Sequence, residues 1–272
     1  MKKRIKNWVK KKLSKPEPQW PRPRYDETLQ PHFLFIITPP YSGSTALAEL
    51  ITSSNKVMSF TEKSEGQWLV PGLCHTDRWN PEKIVDYSSV KAVWLNAYQE
   101  AAAQRPEIEI VVEKSPPNMV RLDTLSAQFD KVSFLANNRN PYANCASILA
   151  RHHEDSVGQE NRKAVVQKVA NDWITRSTIV KKYVTEKSTP LLTYEALCER
   201  PASIIAKLAL PANVLSTINV DATVKVKDYP EQPISNQNER QIAKLPAADL
   251  DVISATLAGS EDLLSFFDYS IR

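Results

Sequence analysis

The sequence predicts an α/β fold of three layers, a central parallel sheet flanked by helices. Three observations predict it. Short β-branched and aromatic apolar runs near 32–38, 57–60, 108–112, 132–136 and 190–193 alternate with segments whose apolar residues fall at helical spacing. These runs are nearly continuous rather than polar-alternating, as buried parallel strands require. At 272 residues and 42% hydrophobic content the chain can bury one substantial core. The expected organisation is a basic, Pro-rich tail over 1–31 and a single domain over 32–272.

In the tail, Ile5, Trp8, Val9 and Leu13 sit at helical spacing among lysines, and Pro16, Pro18, Pro21 and Pro23 then forbid regular structure. The first strand is His32 to Thr38, closed by Pro39-Pro40. Ala46, Leu47, Leu50 and Ile51 mark a helix over 44–53, so Pro39 to Ser44 is a strand-to-helix turn. A second strand is expected at 57–60, a helix over 87–104 and a third strand over 108–112. A helix over 118–129, a strand over 132–136 and helices over 141–152 and 165–184 follow, the last with Val169, Trp173 and Ile174 as its apolar stripe. A final strand at 190–193 precedes a helix over 201–208, and the remainder reads as helical with Pro-containing breaks.

The net charge of +4 comes from the first 24 residues, where ten Lys and Arg face only Glu17. The basic balance belongs to the tail, whose two readings are contact with an anionic membrane surface or acidic partner, and a solvated segment. Nucleic acid is not an expected partner. Cys74, Cys145 and Cys198 are odd in number, far apart and without CxxC spacing, which fits a reducing compartment and makes the cytoplasm the expected location. No apolar run reaches the roughly 20 residues of a membrane-spanning helix, and the N-terminus has no secretory apolar region. With five glycines in the chain there is no GxGxxG, and histidines and cysteines form no ligand cluster, so no metal is expected.

The first candidate site is Tyr41-Ser42-Gly43-Ser44-Thr45, where backbone amides converge at a helix start and favour an anion. GxxxxGK(S/T) is absent, which disfavours a magnesium-dependent nucleotide hydrolase. The plain alternative is a helix capped by Ser44 or Thr45. The second is Arg139-Asn140-Pro141 with Ser147 eight residues beyond the arginine. A guanidinium is a planar fork of charged donors matched to phosphate, and a serine on the following helix adds a donor to the same group. The alternative is an Arg paired with a nearby acid and a Ser bonded to its own helix.

These segments resemble the sulfotransferase superfamily, which transfers the sulfuryl group of 3′-phosphoadenosine 5′-phosphosulfate (PAPS) on a P-loop-NTPase-like fold. Tyr41-Ser42-Gly43-Ser44-Thr45-Ala46-Leu47 resembles its 5′-phosphosulfate loop, (K/R)-S-G-T-(T/S)-x-L, and departs from it at Tyr41, where most relatives carry a cation. Arg139 to Ser147 resembles its 3′-phosphate signature, R-(D/N)-P-x-x-x-x-x-S. Glu113-Lys114-Ser115-Pro116 resembles an E-K-(S/T)-P element that precedes an Arg-bearing helix, here Arg121, and Thr193-Tyr194-Glu195-Ala196-Leu197 resembles a Y-E-D-L element near the nucleotide. The four occur in family order over residues 33–200.

The resemblance implies that Ser42, Gly43, Ser44 and Thr45 hold the 5′-phosphosulfate, that Arg139 and Ser147 hold the 3′-phosphate, and that Tyr194 contacts the adenine or the 3′-phosphate. Lys114 is expected to stabilise the bridging oxygen and offset the missing cation at Tyr41. Glu62, after the second strand, is the expected general base for the acceptor hydroxyl, with Glu65, His75, His152 and His153 as alternatives. The acceptor stays open among glycan, peptide, lipid and small alcohol. Trp68, Trp79 and Trp94 are stacking faces for a sugar or aromatic acceptor, or core residues. The rival function is a nucleotide-fold protein that binds PAPS, its desulfated product or a sulfated partner without turnover.

Overall fold

A computed structural model describes residues 24–61, 63–75, 77–226 and 230–272. The basic stretch before residue 24 and Glu62 lie outside the described residues.

Five parallel strands form the central sheet: β1 (His32–Ile37), β2 (Val57–Ser59), β3 (Ile110–Glu113), β4 (Val132–Asn138) and β5 (Leu191–Thr193), in the order β2-β3-β1-β4-β5. Side chains alternate across β1, which explains its unbroken apolar run. Phe33, Phe35 and Ile37 face one layer with Trp94, Phe129 and Trp173, whereas Leu34 and Ile36 face the other with Leu47, Leu50 and Ile51. Each such fully buried side chain contributes about 1.5–3 kcal/mol by leaving water. Two cores, one on each face of the sheet, are the physical content of the three layers.

The helices are α1 (Ser44–Ile51), α2 (Pro71–Cys74), α3 (Tyr87–Gln104), α4 (Leu122–Ser126), α5 (Pro141–His152), α6 (Arg162–Lys187), α7 (Tyr194–Glu199), α8 (Pro201–Ile205), α9 (Ala212–Leu215), α10 (Asn238–Ile242), α11 (Ala247–Leu257) and α12 (Glu261–Phe266). Several expected bounds move, α6 being longer at both ends and α8 ending at Ile205, and two further changes have a visible cause. The third strand starts at Ile110, because His32 pairs there and Ile108 instead packs as a buried residue at the strand's entry. The expected helix over 118–129 is a 3₁₀ turn at Pro116–Val120 followed by the short α4. The turn closes through i→i+3 bonds, Asn118 N to Ser115 O at 2.9 Å and Arg121 N to Asn118 O at 3.0 Å, and Arg121, at φ −138°, separates it from α4.

Connectivity positions the site. From β1 the chain runs through α1 towards β2 on one side, and from β4 it runs through α5 and α6 towards β5 on the other. The carboxyl ends of β1 and β4 therefore open into a crevice where successive connections diverge, the place where open parallel sheets bind ligands. The register delivers the candidate residues to that edge. Glu113 lies opposite Phe35, so Lys114 emerges beside the turn after β1, and Asn138 lies opposite Thr193, so Arg139 and Tyr194 emerge together.

Candidate nucleotide site

The turn after β1 is shaped by two left-handed residues, Tyr41 at φ 64° and Gly43 at φ 77°. Gly43 has a second reason to be glycine: a Cβ there would stand 2.3 Å from Cδ2 of Tyr194. The backbone can approach that ring only without a side chain. Ser42 is buried, its Oγ accepting from Asn144 Nδ2 at 3.2 Å, and the same amide donates to Pro40 O at 2.7 Å, so α5 pins the turn to α1. Among the described residues no side chain caps α1. Among the described residues the amides of Gly43, Ser44 and Thr45 have no acceptor. Converging N–H groups at a helix start are an anion-binding arrangement.

Arg139 leaves β4 into a pinned backbone: Trp173 Nε1 donates to its carbonyl at 3.0 Å, and the Asn140 side chain caps α5 by accepting from the amides of Tyr142 and Ala143. Its side chain is 5% exposed. Nε donates to Asn238 Oδ1 at 2.9 Å, and Nη1 donates to Tyr41 O at 3.1 Å and to Ser147 Oγ at 3.2 Å. The guanidinium carbon stands 4.3 Å from the centroid of the Tyr194 ring. Among the described residues its Nη2 is buried with no partner. Among the described residues Arg139 makes no ion pair, so a buried, permanently charged group presents an unused donor. Burial, opposed by Tyr194 and Glu195, draws its pKa below the ordinary arginine value. The structure thus brings Arg139, Ser147, Tyr194 and the turn together.

Lys114 is 1% exposed, yet its Nζ donates to Thr45 Oγ1 at 3.2 Å and to Glu65 Oε1 at 3.1 Å. An ammonium has three donors, so one N–H remains for a group at the turn. Burial lowers its pKa, and the Glu65 carboxylate opposes that shift. Glu65 is itself held: Oε2 accepts from Gln67 Nε2 at 2.7 Å and from Trp68 Nε1 at 2.8 Å. Beneath it lies Glu113, buried, whose Oε1 accepts from Gly66 N at 3.1 Å and from the Ser115 hydroxyl, and whose Oε2 accepts from Asn118 Nδ2 at 3.3 Å. Burial pushes its carboxyl up to about 7. Gly66 is wedged in turn, since a Cβ would meet Phe60 at 2.7 Å and Trp94 at 2.9 Å. Glu113 therefore holds the loop that offers Glu65 to Lys114.

At Tyr41 the phenol oxygen lies 2.6 Å from His152 Nε2. Burial raises its pKa, with Arg151 opposing and Glu65 reinforcing the shift, so these charged groups surround the turn. Arg121, placed by the E-K-(S/T)-P resemblance, points elsewhere: Nη1 donates to Arg78 O at 2.8 Å and Nη2 to Asn80 O at 3.0 Å, tying down the loop after α2. His75 is exposed. Among the described residues no three His, Cys, Asp or Glu side chains converge as a metal set, and no helix is long and apolar enough to cross a membrane.

Sequence reasoning missed α10. Asn238 accepts from Arg139 Nε and donates Nδ2 to Glu195 Oε1 at 2.6 Å, Tyr269 OH donates to Glu195 Oε2 at 2.9 Å, and Gln241 accepts from the Ser147 hydroxyl. The only local signal is a cluster of amides and charges over 236–241, which has the composition of an ordinary solvated helix.

No family model matches the sequence, and no curated protein matches it. Solved structures do. A sulfotransferase from Alicyclobacillus acidocaldarius superimposes with a TM-score of 0.53 at 12% identity, covering 89% of this chain and 97% of that one. The sulfotransferase STF9 from Mycobacterium avium gives a TM-score of 0.51 at 12% identity over 89% of this chain and 78% of that one. The sulfotransferase domain from the curacin biosynthetic pathway gives 0.50 at 16% identity over 89% and 99%.

Proposed function

From the sulfotransferase fold of this chain we propose that it transfers a sulfuryl group from PAPS to an acceptor hydroxyl. The observation that carries this reading is the buried, unpartnered Nη2 of Arg139, beside Ser147 and against Tyr194. A cation buried with a free donor fits a phosphate that would complete it. The turn supports the same reading, because Gly43 lets its backbone pass under Tyr194 and the start of α1 is uncapped.

When bound, PAPS supplies an activated sulfuryl group for in-line displacement, a reaction in which the protein contributes alignment and charge stabilisation. Ser42, Gly43, Ser44 and Thr45 hold the 5′-phosphosulfate through backbone amides and hydroxyls. Arg139 and Ser147 hold the 3′-phosphate, and Tyr194 braces the guanidinium. Lys114 turns its remaining N–H on the bridging oxygen and neutralises the charge that gathers there as the oxygen–sulfur bond breaks. A carboxylate takes the acceptor proton as the acceptor oxygen bonds to sulfur. Glu62 is one candidate for that role, and Glu65 is the other, supported by its contact with Lys114.

Calorimetric titration with 3′-phosphoadenosine 5′-phosphate, the desulfated product, tests the site. Binding is expected for the wild type, weakened at least ~30-fold in Arg139→Ala because truncating one partner of a buried charged contact costs about 2–5 kcal/mol. ATP is expected to bind weakly. No bisphosphate binding removes the reading. A second reading, binding without turnover, is favoured by Tyr41, whose hydroxyl is engaged by His152 where a cation is expected. Label transfer from PAPS by the wild type and by Tyr41→Arg separates the two: turnover confined to the variant supports binding without transfer.

A further inference from the structure

The three tryptophans singled out by the sequence have three different fates. Trp94 is fully buried and donates Nε1 to Gly66 O at 3.0 Å. Trp79 lies under the guanidinium of Arg176, 4.3 Å from its centroid, and packs on the core. Trp68 is 46% exposed. An exposed indole alone is ordinary, but this one is held at its edge and on its face. Nε1 donates to Glu65 Oε2 at 2.8 Å, and the Arg78 guanidinium stands 5.4 Å from the ring centroid. The other oxygen of Glu65 is the one that contacts Lys114.

A rigid aromatic plate therefore stands one carboxylate away from the ammonium at the turn. We propose that Trp68, Glu65 and Arg78 form the acceptor subsite, and that the acceptor is a saccharide whose ring lies on the exposed indole with one hydroxyl at Glu65. This rests on the sulfuryl-transfer reading above. A sugar ring has an apolar C–H face and a rim of hydroxyls, which matches an apolar plate bordered by an acceptor and a fork of donors. An apolar alcohol needs a pocket lined mainly by apolar side chains. What borders this turn is polar on both sides: Glu65 and Arg78 contact Trp68, and beyond Tyr41 and His152 an open recess of about 510 Å³ is lined by Ala150, Arg151, His152, Glu154 and Asp155. Glu65 has one lone-pair site left after accepting from Lys114, Gln67 and Trp68, so it can receive a hydroxyl without giving up these contacts.

The test uses the full chain with 3′-phosphoadenosine 5′-phosphate on an array of neutral and uronate-bearing oligosaccharides, with bisphosphate calorimetry on the same samples. Wild type is expected to be retained on a subset of glycans. Trp68→Ala is expected to lose about tenfold in retention and Trp68→Phe less, because phenylalanine keeps a stacking face. Bisphosphate affinity in both variants stays within about twofold, which also reports that they are folded. No glycan retention by a chain that binds the bisphosphate overturns the saccharide assignment, as does equal retention by Trp68→Ala, or sulfation of 2-naphthol or a tyrosine peptide by a chain that no glycan retains. Absence of bisphosphate binding is a separate result: it removes the nucleotide reading and this inference with it.

Discussion

The guanidinium of Arg139 lies 4.3 Å above the ring of Tyr194, and the same ring roofs the backbone of Gly43. One tyrosine thus joins the end of β4 to the turn after β1. Tyr194 is further fixed by its hydroxyl, which donates to Ser235 O at 2.8 Å and accepts from Gln237 N at 3.1 Å. Tyr194→Ala is expected to weaken bisphosphate binding by about 0.5–2 kcal/mol, roughly 2- to 30-fold, the range of a cation–π contact. Tyr194→Phe keeps the ring and is expected to lose less. Calorimetry on the two variants separates ring from hydroxyl, and an equal loss in both points to the hydroxyl network instead.

Lys114→Met removes a buried cation that faces Thr45 and Glu65. Single-turnover transfer from PAPS is expected to fall by about 10²–10³, the scale of losing one charge-stabilising donor. Bisphosphate binding, which lacks the sulfuryl group, changes much less. Folding stability falls by about 1–3 kcal/mol because Glu65 loses its charged partner. A variant that transfers at the wild-type rate removes Lys114 from the mechanism.

Glu113 sets a pH dependence of stability. Its carboxyl is raised to about 7 in the folded chain by burial, above the unfolded value near 4.5. The folded state therefore binds the proton more tightly than the unfolded state does. Stability is highest below the unfolded pKa, declines as pH rises from about 4.5 to 7, and levels off above, a loss on the order of 3 kcal/mol from this group. Glu113→Gln keeps an acceptor for Gly66 and Ser115, and the buried, unpartnered Oδ1 of Asn118 can accept from the new amide after a flip. The variant is expected to lose this decline and to melt higher than wild type at pH 8. Thermal denaturation of both proteins between pH 5 and pH 8 decides it, parallel curves being the adverse result.

Asn238 bridges Arg139 to Glu195 as a neutral amide. Asn238→Asp places a carboxylate on the guanidinium, neutralises it and repels Glu195. Bisphosphate affinity is expected to drop at least about tenfold, more than in Asn238→Ala, with a salt dependence weaker than that of wild type. Titrations at two ionic strengths measure this. If both variants bind like wild type, α10 has no part in the site.

Much of the architecture was legible because its signals are local. His32 to Ile37 reads as a strand because both of its faces are buried, and Arg139 with Ser147 reads as a pair because the spacing places Arg139 just before α5 and Ser147 within it. The helix expected over 118–129 is shorter because apolar spacing does not register the backbone break at Arg121. That Glu65 contacts Lys114 was not legible, since it is one of two glutamates three positions apart in the sequence after the second strand. The contact of Glu65 with Lys114 depends on the packing of Gly66 against Phe60 and Trp94 and on the grip of Glu113.

By itself the sequence determined the α/β class, the order of the strands along the chain and the segments that carry a phosphate-binding pattern, because periodicity, breakers and motif spacing act over a few neighbouring residues. Only the tertiary structure decided that Lys114 is buried at the turn, that Nη2 of Arg139 is left without a partner, that α10 closes over Arg139 and Ser147, and that Trp68 alone of three tryptophans stands exposed beside Glu65. Those relations join residues up to 99 positions apart, as in Arg139 with Asn238, and they are set by sheet order and register, which no local pattern encodes.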